Sequence, residues 1–320
     1  TGNHAVSRTY LVTGGAGFIG SHIVSALVER GDAVRVLDNL STGRRENLEG
    51  LAADIEFVEG DLLDKDVVAG AVRNVHGIFH EAALASVPRS VEQPLDTHAA
   101  CVTGTVNLLD QARQAGVSRV VYAASSSSYG NQPHSPKREA DLPAPLSPYA
   151  ASKLAAEYYC QAFSHTYGIE TVAIRYFNVF GPGQDPDSPY SAVIPLFITS
   201  LLNGQRPTVY GDGSQSRDFT FVANVVHGNL LAMDAASSVS GRVMNVANGR
   251  ATSLLELLQA LNKMLGTNIE PILAPPRIGD VRESLADITL ATQILGYEPI
   301  VGFEEGLRRS IAYYRSLIAS

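Results

Sequence analysis

The chain contains no tryptophan and only two cysteines among its 320 residues. Cys101 and Cys160 do not have the close spacing that Cys and His ligands of a metal site show. Cysteine without such a partner usually packs in the interior as a small apolar side chain. The sequence therefore predicts two buried thiols and no metal site.

Long apolar runs and an excess of positive charge are also missing. No stretch reaches the ~18 apolar residues that a membrane-spanning helix needs, and no charged-then-apolar leader opens the sequence. The 24 Lys and Arg against 32 Asp and Glu give a net charge of −8. General nucleic-acid binding requires clustered positive charge and is not expected, although a local anion pocket is compatible with this balance. We expect a soluble, cytoplasmic protein without nucleic-acid or membrane partners, preceded by an unstructured lead-in over residues 1–8.

Short runs rich in β-branched residues alternate with helical patterns along the first half of the chain. This alternation is typical of an α/β protein with a doubly wound parallel (Rossmann) sheet, whose ligands bind beyond the carboxyl ends of the strands. The length allows one large domain or two interdependent ones. The predicted strands are 10–13, 33–37, 55–58, 77–80, 119–123 and 171–176.

A change of pattern after Asn178 indicates a second, smaller lobe. Glycine and proline become frequent over residues 181–189, as expected for an irregular segment. Residues 219–222 and 243–246 look like strands that return to the main sheet, with a helix at 224–233 between them. We therefore predict a Rossmann domain at 9–180 plus 218–250, and a mixed, mainly helical lobe at 181–217 plus 251–320.

The first predicted strand runs into a glycine-rich turn. Gly14, Gly17 and Gly20 form G-x-x-G-x-x-G, and Gly15 also completes G-x-G-x-x-G with the last two. Missing side chains allow a tight turn and let a pyrophosphate approach the N-terminus of the following helix, predicted at 21–30. The strand before and the helix after make this a specific signal for a dinucleotide.

The second strand is followed by Asp38, about 20 residues beyond the glycine turn, where a carboxylate can bind an adenosine ribose. A carboxylate would repel the 2′-phosphate of NADP. Arg44 and Arg45 are nearby, but they fit an exposed loop better than a phosphate site. The predicted cofactor is NAD.

Tyr149 and Lys153 stand four residues apart in a predicted helix, so both lie on one face. A free phenol has a pKa of about 10, and a nearby ammonium favours its ionised form. Tyr149 could then accept a proton from an alcohol. Serines 125–128 follow the strand at 119–123, where hydroxyls could hold the same alcohol.

Together these features resemble the extended short-chain dehydrogenase/reductase family over nearly the whole chain. Four longer segments, 84–91, 175–181, 216–219 and 279–287, resemble those of nucleotide-sugar 4-epimerases, especially the ones that act on UDP-N-acetylhexosamines. The resemblance implies a catalytic set of Ser125, Tyr149 and Lys153. It further implies that Tyr149 removes the proton of the sugar O4 while NAD takes hydride from C4, and that the 4-keto sugar turns before hydride returns.

The same resemblance assigns binding residues and one departure from the family pattern. Cys101 stands where the family usually has Asn, so the hydrogen bonds of that amide are lost or replaced. Ser284 matches a position beside the C2 substituent of the sugar, where a small residue leaves room for an N-acetyl group. The implied cofactor-binding residues are Gly14, Gly17, Phe18, Ile19, Gly20, Asp38, Asn39, Asp61, Leu62, His80, Ala82, Ala83, Tyr149 and Lys153, and the implied substrate-binding residues are Ser86, Ser125, Ser126, Asn178, Arg217, Arg277 and Ser284.

Several alternatives stay open at this point. Related 4,6-dehydratases and UDP-glucuronate decarboxylases carry carboxylates after the catalytic hydroxyl, where this chain has Ser126 and Ser127. A UDP-glucuronate 4-epimerase and a non-catalytic NAD-sensing protein are further candidates, although a sensor would need none of the catalytic set. By resemblance, we expect a homodimer in which the helices at 102–113 and 150–167 meet across a two-fold axis.

Overall fold

The computed structural model describes residues 8–186, 192–276 and 281–319. Its centre is a seven-stranded, all-parallel sheet in the order β3-β2-β1-β4-β5-β6-β11. The strands are β1 Thr9–Thr13, β2 Ala33–Asp38, β3 Ile55–Glu59, β4 Gly77–His80, β5 Arg119–Ser125, β6 Glu170–Tyr176, β7 Val179–Phe180, β8 Thr208–Tyr210, β9 Ser216–Asp218, β10 Thr220–Phe221, β11 Arg242–Val246, β12 Ala251–Ser253, β13 Ile272–Ala274 and β14 Glu283–Ser284.

Helices cover both faces of the sheet. The predicted doubly wound fold is thereby confirmed. The α-helices are α1 Phe18–Glu29, α2 Lys65–Ala71, α3 Val87–Glu92, α4 Pro94–His98, α5 Gly104–Gln114, α6 Pro148–Tyr167, α7 Val193–Leu202, α8 Val222–Asp234, α9 Leu254–Leu265, α10 Thr289–Leu295 and α11 Phe303–Ala319.

The two faces of the sheet each have their own apolar core, because neighbouring residues of a strand point in opposite directions. Val121 and Ala123 of β5 pack with α1 and α8 on one face. Val120 and Tyr122 pack with α2, α5 and α6 on the other. Both faces are covered by helices, which explains why the parallel strands read as continuous apolar runs.

Several predicted elements differ from the structure. Helix α1 begins at Phe18 rather than at residue 21, because Gly17 has the extended backbone of an N-cap. The helix predicted at 102–113 begins as a π-helical turn over Ala99–Thr103 and continues as α5. The strand predicted at 219–222 is limited to β10, which pairs with β7 in a separate two-stranded sheet and not with the main sheet.

The smaller lobe contains short strands as well as helices. Strands β12, β9 and β14 form one small sheet, and β13 pairs with β8 in another. Its core joins apolar side chains of α7, α9 and α11 to Phe180, Phe219 and Phe221. These three aromatics belong to segments that the sequence assigned to the Rossmann domain, so this core crosses the predicted limits. The domain limits therefore stay a prediction. Among the described residues, no helix combines the length and apolar character needed to cross a membrane.

Candidate active site

The glycine turn connects β1 to α1 through contacts that only glycine permits. Gly14 has φ +67°, a left-handed conformation that costs glycine little, and its N–H donates to the carbonyl of Leu37, 2.8 Å away. A Cβ on Gly20 would lie 2.2 Å from the carbonyl oxygen of Gly14. The turn and the first turn of the helix are therefore in direct backbone contact.

Helix α1 presents its N-terminus to this turn without a side-chain cap, because its N-cap residue is Gly17. The first N–H groups of a helix have no partner within it, and they carry a partial positive charge. Phosphate oxygens are well suited to accept from them. The observed backbone therefore fits the pyrophosphate of a dinucleotide.

Asp38, at the end of β2, is buried beside the turn. Its two carboxylate oxygens accept from backbone N–H groups, Oδ2 from Ala16 at 3.0 Å and Oδ1 from Leu40 at 2.8 Å. A carboxylate can accept further hydrogen bonds beyond these two. Asp38 is thus fixed in place with accepting capacity left for ribose hydroxyls, and its charge disfavours an additional phosphate.

A cavity of about 460 Å³ lies beyond the carboxyl ends of β1, β2 and β4. That is where a doubly wound sheet binds its ligand. The side chain of Asn39 donates to Asp61, 2.7 Å away, and so links the loops after β2 and β3. The predicted cofactor residues that line the cavity are Gly14, Gly17, Phe18, Ile19, Gly20, Asp38, Asn39, Asp61, Leu62, Ala82 and Ala83.

His80 lies beneath this cavity and does not line it. The side chain is fully buried, with Nδ1 2.7 Å from the hydroxyl of Thr13 and Nε2 2.8 Å from the hydroxyl of Thr105. Burial, helped by the charge of Lys153, lowers its pKa to about 3. The structure therefore places His80 as a neutral bridge between β1, β4 and α5.

Helix α6 brings Tyr149 and Lys153 to the end of β5. Ser147 caps the helix by accepting from the N–H of Ala150 at 3.1 Å, and Pro148 occupies the first helical position. Ser125 ends β5, close enough to Tyr149 for its hydroxyl to lower the pKa of the phenol. The three predicted catalytic residues are therefore together, although they come from two separate elements.

The electrostatic state of Tyr149 differs from the sequence-based expectation. Burial raises the pKa of this phenol well above its usual value, and the nearby Ser125 lowers it only in part. Burial also lowers the pKa of Lys153, which lies with its ammonium 4.6 Å from the ring centre of Tyr122. The spacing of two residues on a helix predicts that they are close, but it does not predict how far they are desolvated. In the protein without its cofactor, Tyr149 is therefore protonated at neutral pH and not ionised as expected.

The predicted substrate residues come from several separate segments of the chain. Asn178 follows β6 with an exposed side chain and φ +25°. Arg217 of β9 and Ser284 of β14 are register partners in parallel strands. Arg277 lies outside the described residues, as does the start of the segment 279–287.

The predicted serines have local hydrogen bonds. Ser86 caps α3 by accepting from the N–H of Arg89 at 3.1 Å. Ser126 begins a short 3-10 turn after β5, and the hydroxyl of Ser125 lies 2.8 Å from that of Ser127. The segment Ser126–Tyr129 carries hydroxyl groups and no carboxylate.

Sequence reasoning missed several residues of the cavity wall, including Glu81, Arg89 and Thr42. Glu81 directly follows β4, so the rule that ligands bind at carboxyl strand ends could have identified it. Arg89 and Thr42 are on loops or short helices whose positions depend on packing between distant segments.

Cys101 is buried in the π-helical turn, and its carbonyl accepts from the hydroxyl of Thr105 at 2.7 Å. Single π-helical turns are rare and frequent near functional sites. That the thiol of Cys101 stands in the place of an asparagine amide is known only from the resemblance to the family. Its burial agrees with the predicted role of a small apolar side chain. Cys160 is likewise buried and unpaired.

The fold and the cavity define an enzyme of the nucleotide-binding, doubly wound class. The chain matches the family of NAD-dependent epimerases and dehydratases over residues 10–247 and belongs to that family. It is therefore an NAD-dependent enzyme, and the predicted class, an isomerase, is confirmed.

Three similar proteins illustrate the relationship. A UDP-glucose 4-epimerase of Mycolicibacterium smegmatis is 40% identical over 96% of this chain and 98% of its own length. The solved UDP-N-acetylglucosamine 4-epimerase of Methanobrevibacter ruminantium, in complex with UDP-N-acetylmuramic acid, is 39% identical, with a TM-score of 0.93 over 97% of this chain and 99% of that one. UDP-glucuronic acid decarboxylase 1 of Xenopus tropicalis is 34% identical over 96% of this chain and 72% of its own length.

Proposed function

We propose that the protein catalyses NAD-dependent epimerisation at C4 of a UDP-hexose. UDP-N-acetylglucosamine and UDP-N-acetylgalactosamine are the proposed pair, with UDP-glucose and UDP-galactose as further substrates. The observation that carries this proposal is the meeting of Ser125, Tyr149 and Lys153 beside the NAD cavity. The similarity to named 4-epimerases supports it.

The side chains then have separate tasks. Ser125 holds the sugar O4, and Tyr149 removes its proton as the C4–H bond breaks. When bound, NAD supplies the acceptor for that hydride and, in its oxidised form, a positive charge that favours the Tyr149 phenolate. Lys153 stabilises the same phenolate, which offsets the effect of burial on its pKa.

The UDP group is proposed to stay anchored while the 4-keto sugar turns its other face to the cofactor. Arg217 and Arg277 suit the diphosphate, because guanidinium groups match phosphate oxygens in geometry and charge. Asn178, Ser86 and Ser126 complete the proposed contacts. The proton that Tyr149 took is returned to O4 when hydride returns to C4.

Dehydration and decarboxylation are less well supported. In the related dehydratases and decarboxylases a carboxylate follows the catalytic hydroxyl, and this chain has Ser126 and Ser127 in a 3-10 turn there. The decarboxylase relative shows that the scaffold by itself does not fix the reaction. A UDP-glucuronate 4-epimerase stays an alternative, since UDP-glucuronate differs from UDP-glucose only at C6.

One experiment separates these reactions. The purified protein is incubated with UDP-N-acetylglucosamine, UDP-glucose and UDP-glucuronate in separate tubes, without added NADH, and the products are identified by NMR. We expect the C4 epimers of the first two. A pentose product would indicate decarboxylation, a 6-deoxy-4-keto sugar would indicate dehydration, and bound NAD without any turnover would indicate a sensor.

The choice between an N-acetyl sugar and a plain hexose is proposed to depend on Ser284. Ser284 is the register partner of Arg217, a proposed diphosphate ligand, and its side chain is small and half-buried. Ser284→Tyr should abolish turnover of UDP-N-acetylglucosamine by steric overlap and preserve that of UDP-glucose, a change in the ratio of kcat/KM values. Ser284→Ala, the matched control, should leave the ratio unchanged. Equal losses on both sugars would contradict this role.

We also propose a cytoplasmic homodimer. Helices α3 and α4 pack against α6, and all three expose apolar side chains, among them Val91 at 65%, Leu95 at 81% and Tyr158 at 50%. Exposed apolar patches of this kind often mark an interface between chains. Light scattering should give about twice the chain mass of 34.0 kDa. The two buried thiols are compatible with a reducing compartment.

A further inference from the structure

A carboxylate outside the Ser125–Tyr149–Lys153 set lies in the wall of the NAD cavity. Glu81 directly follows β4, and its N–H donates to the carbonyl of Thr13, 3.1 Å away. Its Oε1 accepts from the hydroxyl of Tyr176 at 2.8 Å. The side chain is therefore held between the ends of β1, β4 and β6.

Tyr176 is itself held in place. Its hydroxyl lies 2.8 Å from the Nδ2 of Asn229, whose amide also donates to the carbonyl of Val225 within α8. In the register of β5 and β6, Tyr176 is the partner of Ser125. Glu81 is thus attached to the end of β6, next to the end of β5 that carries Ser125, through a partner with little freedom to move.

The position of Glu81 along the cavity is given by the groups around it. Asp38 and Asp61 mark the adenosine end of the cavity, and the N-terminus of α1 marks the pyrophosphate. Glu81 interacts electrostatically with Tyr149 and Lys153, so it belongs to the opposite end. Hydride transfer must occur beside Tyr149, and the nicotinamide end of NAD must therefore lie near Glu81.

The charges that face Glu81 come from two neighbouring elements. Helix α6 contributes the Lys153 ammonium and the Tyr149 phenol, and β6 contributes the Tyr176 phenol, while His80 points to the other face of the sheet. Glu157, the other buried carboxylate near Lys153, is occupied in a two-bond ion pair with Arg175. Glu81 therefore keeps a carboxylate charge that can interact with the cofactor at the end of the cavity beside Tyr149 and Lys153.

We propose that Glu81 sets the relative affinity of the protein for NAD⁺ and NADH. The nicotinamide ring carries a positive charge only when oxidised, so a carboxylate beside it in a poorly solvated cavity favours NAD⁺. The bound cofactor would then be held in the form that begins each catalytic cycle. This inference rests on NAD as cofactor and on the proposed role of Tyr149, and not on which sugar is the substrate.

Protonation of Glu81 should remove the effect. Burial raises the pKa of this carboxyl to about 7, against the hydrogen bond from Tyr176 and the charge of Lys153, which lower it. The preference for NAD⁺ should therefore be full above pH 8 and decline as the pH falls through 7.

The test measures cofactor binding and not turnover. The protein is equilibrated with mixtures of NAD⁺ and NADH at several pH values and then separated from free cofactor. The share of NADH in the cofactor that stays bound is read from its absorbance. Glu81→Gln should lower the preference for NAD⁺ by about tenfold at pH 8, as expected for the loss of a charge interaction in a partly buried site, and should flatten its pH dependence. Glu139→Gln, which changes a partly buried carboxylate outside the cavity, should behave like the parent protein.

A second variant checks the pH dependence independently. Tyr176→Phe removes the hydrogen bond to Glu81 and should move the midpoint of the pH dependence upward, while the NAD⁺ preference at high pH stays. Equal preferences in Glu81→Gln and the parent protein, or an unchanged midpoint in Tyr176→Phe, would overturn the proposal. If Glu81→Gln does not fold, the midpoint of Tyr176→Phe decides the question.

Discussion

Tyr149 illustrates at the scale of one residue how burial opposes the ionisation that a base needs. Burial raises the pKa of its phenol, the nearby Cys101 and Glu81 raise it further, and Ser125 lowers it only in part. The side chain must lose its proton to act as a base and must be partly desolvated to lie next to the sugar. Its reactivity is therefore a property of the assembled site with NAD.

Tyr149→Phe removes the proton acceptor and retains the ring. We expect kcat to fall by about 10²-fold or more, the usual cost of losing a general base, while NAD stays bound. Turnover is measured with UDP-N-acetylglucosamine and with UDP-glucose, and bound NAD is quantified after denaturation. Near-normal turnover by the variant would rule out Tyr149 as the base. Tyr167→Phe, at the exposed C-terminal end of the same helix, is the matched control and should be neutral.

At the scale of elements, the glycine turn shows how a short sequence dictates a contact between backbones. The first turn of α1 touches the loop that precedes it, and no side chain fits between them. A Cβ at position 20 would also lie 2.8 Å from the Cα of Gly15. Backbone atoms cannot rotate away as a flexible side chain would.

Gly20→Ala should therefore open the turn and displace the helix N-terminus from the phosphates. We expect at least a tenfold loss of NAD affinity and a loss of about 1–3 kcal/mol in the free energy of unfolding, the range for overpacking a close contact. Calorimetry and urea unfolding measure the two effects. Gly70→Ala in α2 is the control, because its added methyl meets no atom within 4 Å and alanine favours helix formation. Equal NAD affinity in both variants would contradict the role of the turn.

At the scale of the whole molecule, His80 links stability to pH. In the unfolded chain a histidine binds a proton near pH 6.5, but the buried ring has a pKa of about 3. Between these values the unfolded state binds more protons than the folded state. The free energy of unfolding should therefore fall as the pH falls below 6.5.

His80→Gln should weaken this dependence and retain hydrogen-bonding capacity toward Thr13 and Thr105. Between pH 6.5 and 4, we expect the parent protein to lose stability relative to the variant by up to about 1.4 kcal/mol per pH unit, the limit for one proton. Urea unfolding across this range gives the difference. Glu81, whose raised pKa acts in the opposite direction, is present in both proteins and cancels. Parallel pH profiles would show that His80 is not neutral in the folded state.

The sequence by itself determined the features that depend on local spacing. The alternation of strands and helices predicted the doubly wound sheet, because periodicity fixes which side of each element is buried. The glycine turn and Asp38 were found from their order along the chain. Tyr149 and Lys153 could be paired because a helix places residues four apart on one face.

Only the tertiary structure decided what depends on distant segments meeting. Strand β10 pairs with β7 instead of the main sheet, and no local pattern of residues 219–222 distinguishes these partners. The raised pKa of Tyr149 and the neutral state of His80 follow from burial by β4, β5, α5 and α6 together. Glu81 gains its place beside Lys153 in the same way. Desolvation is a sum over the whole neighbourhood of a group, and a sequence shows only its neighbours along the chain.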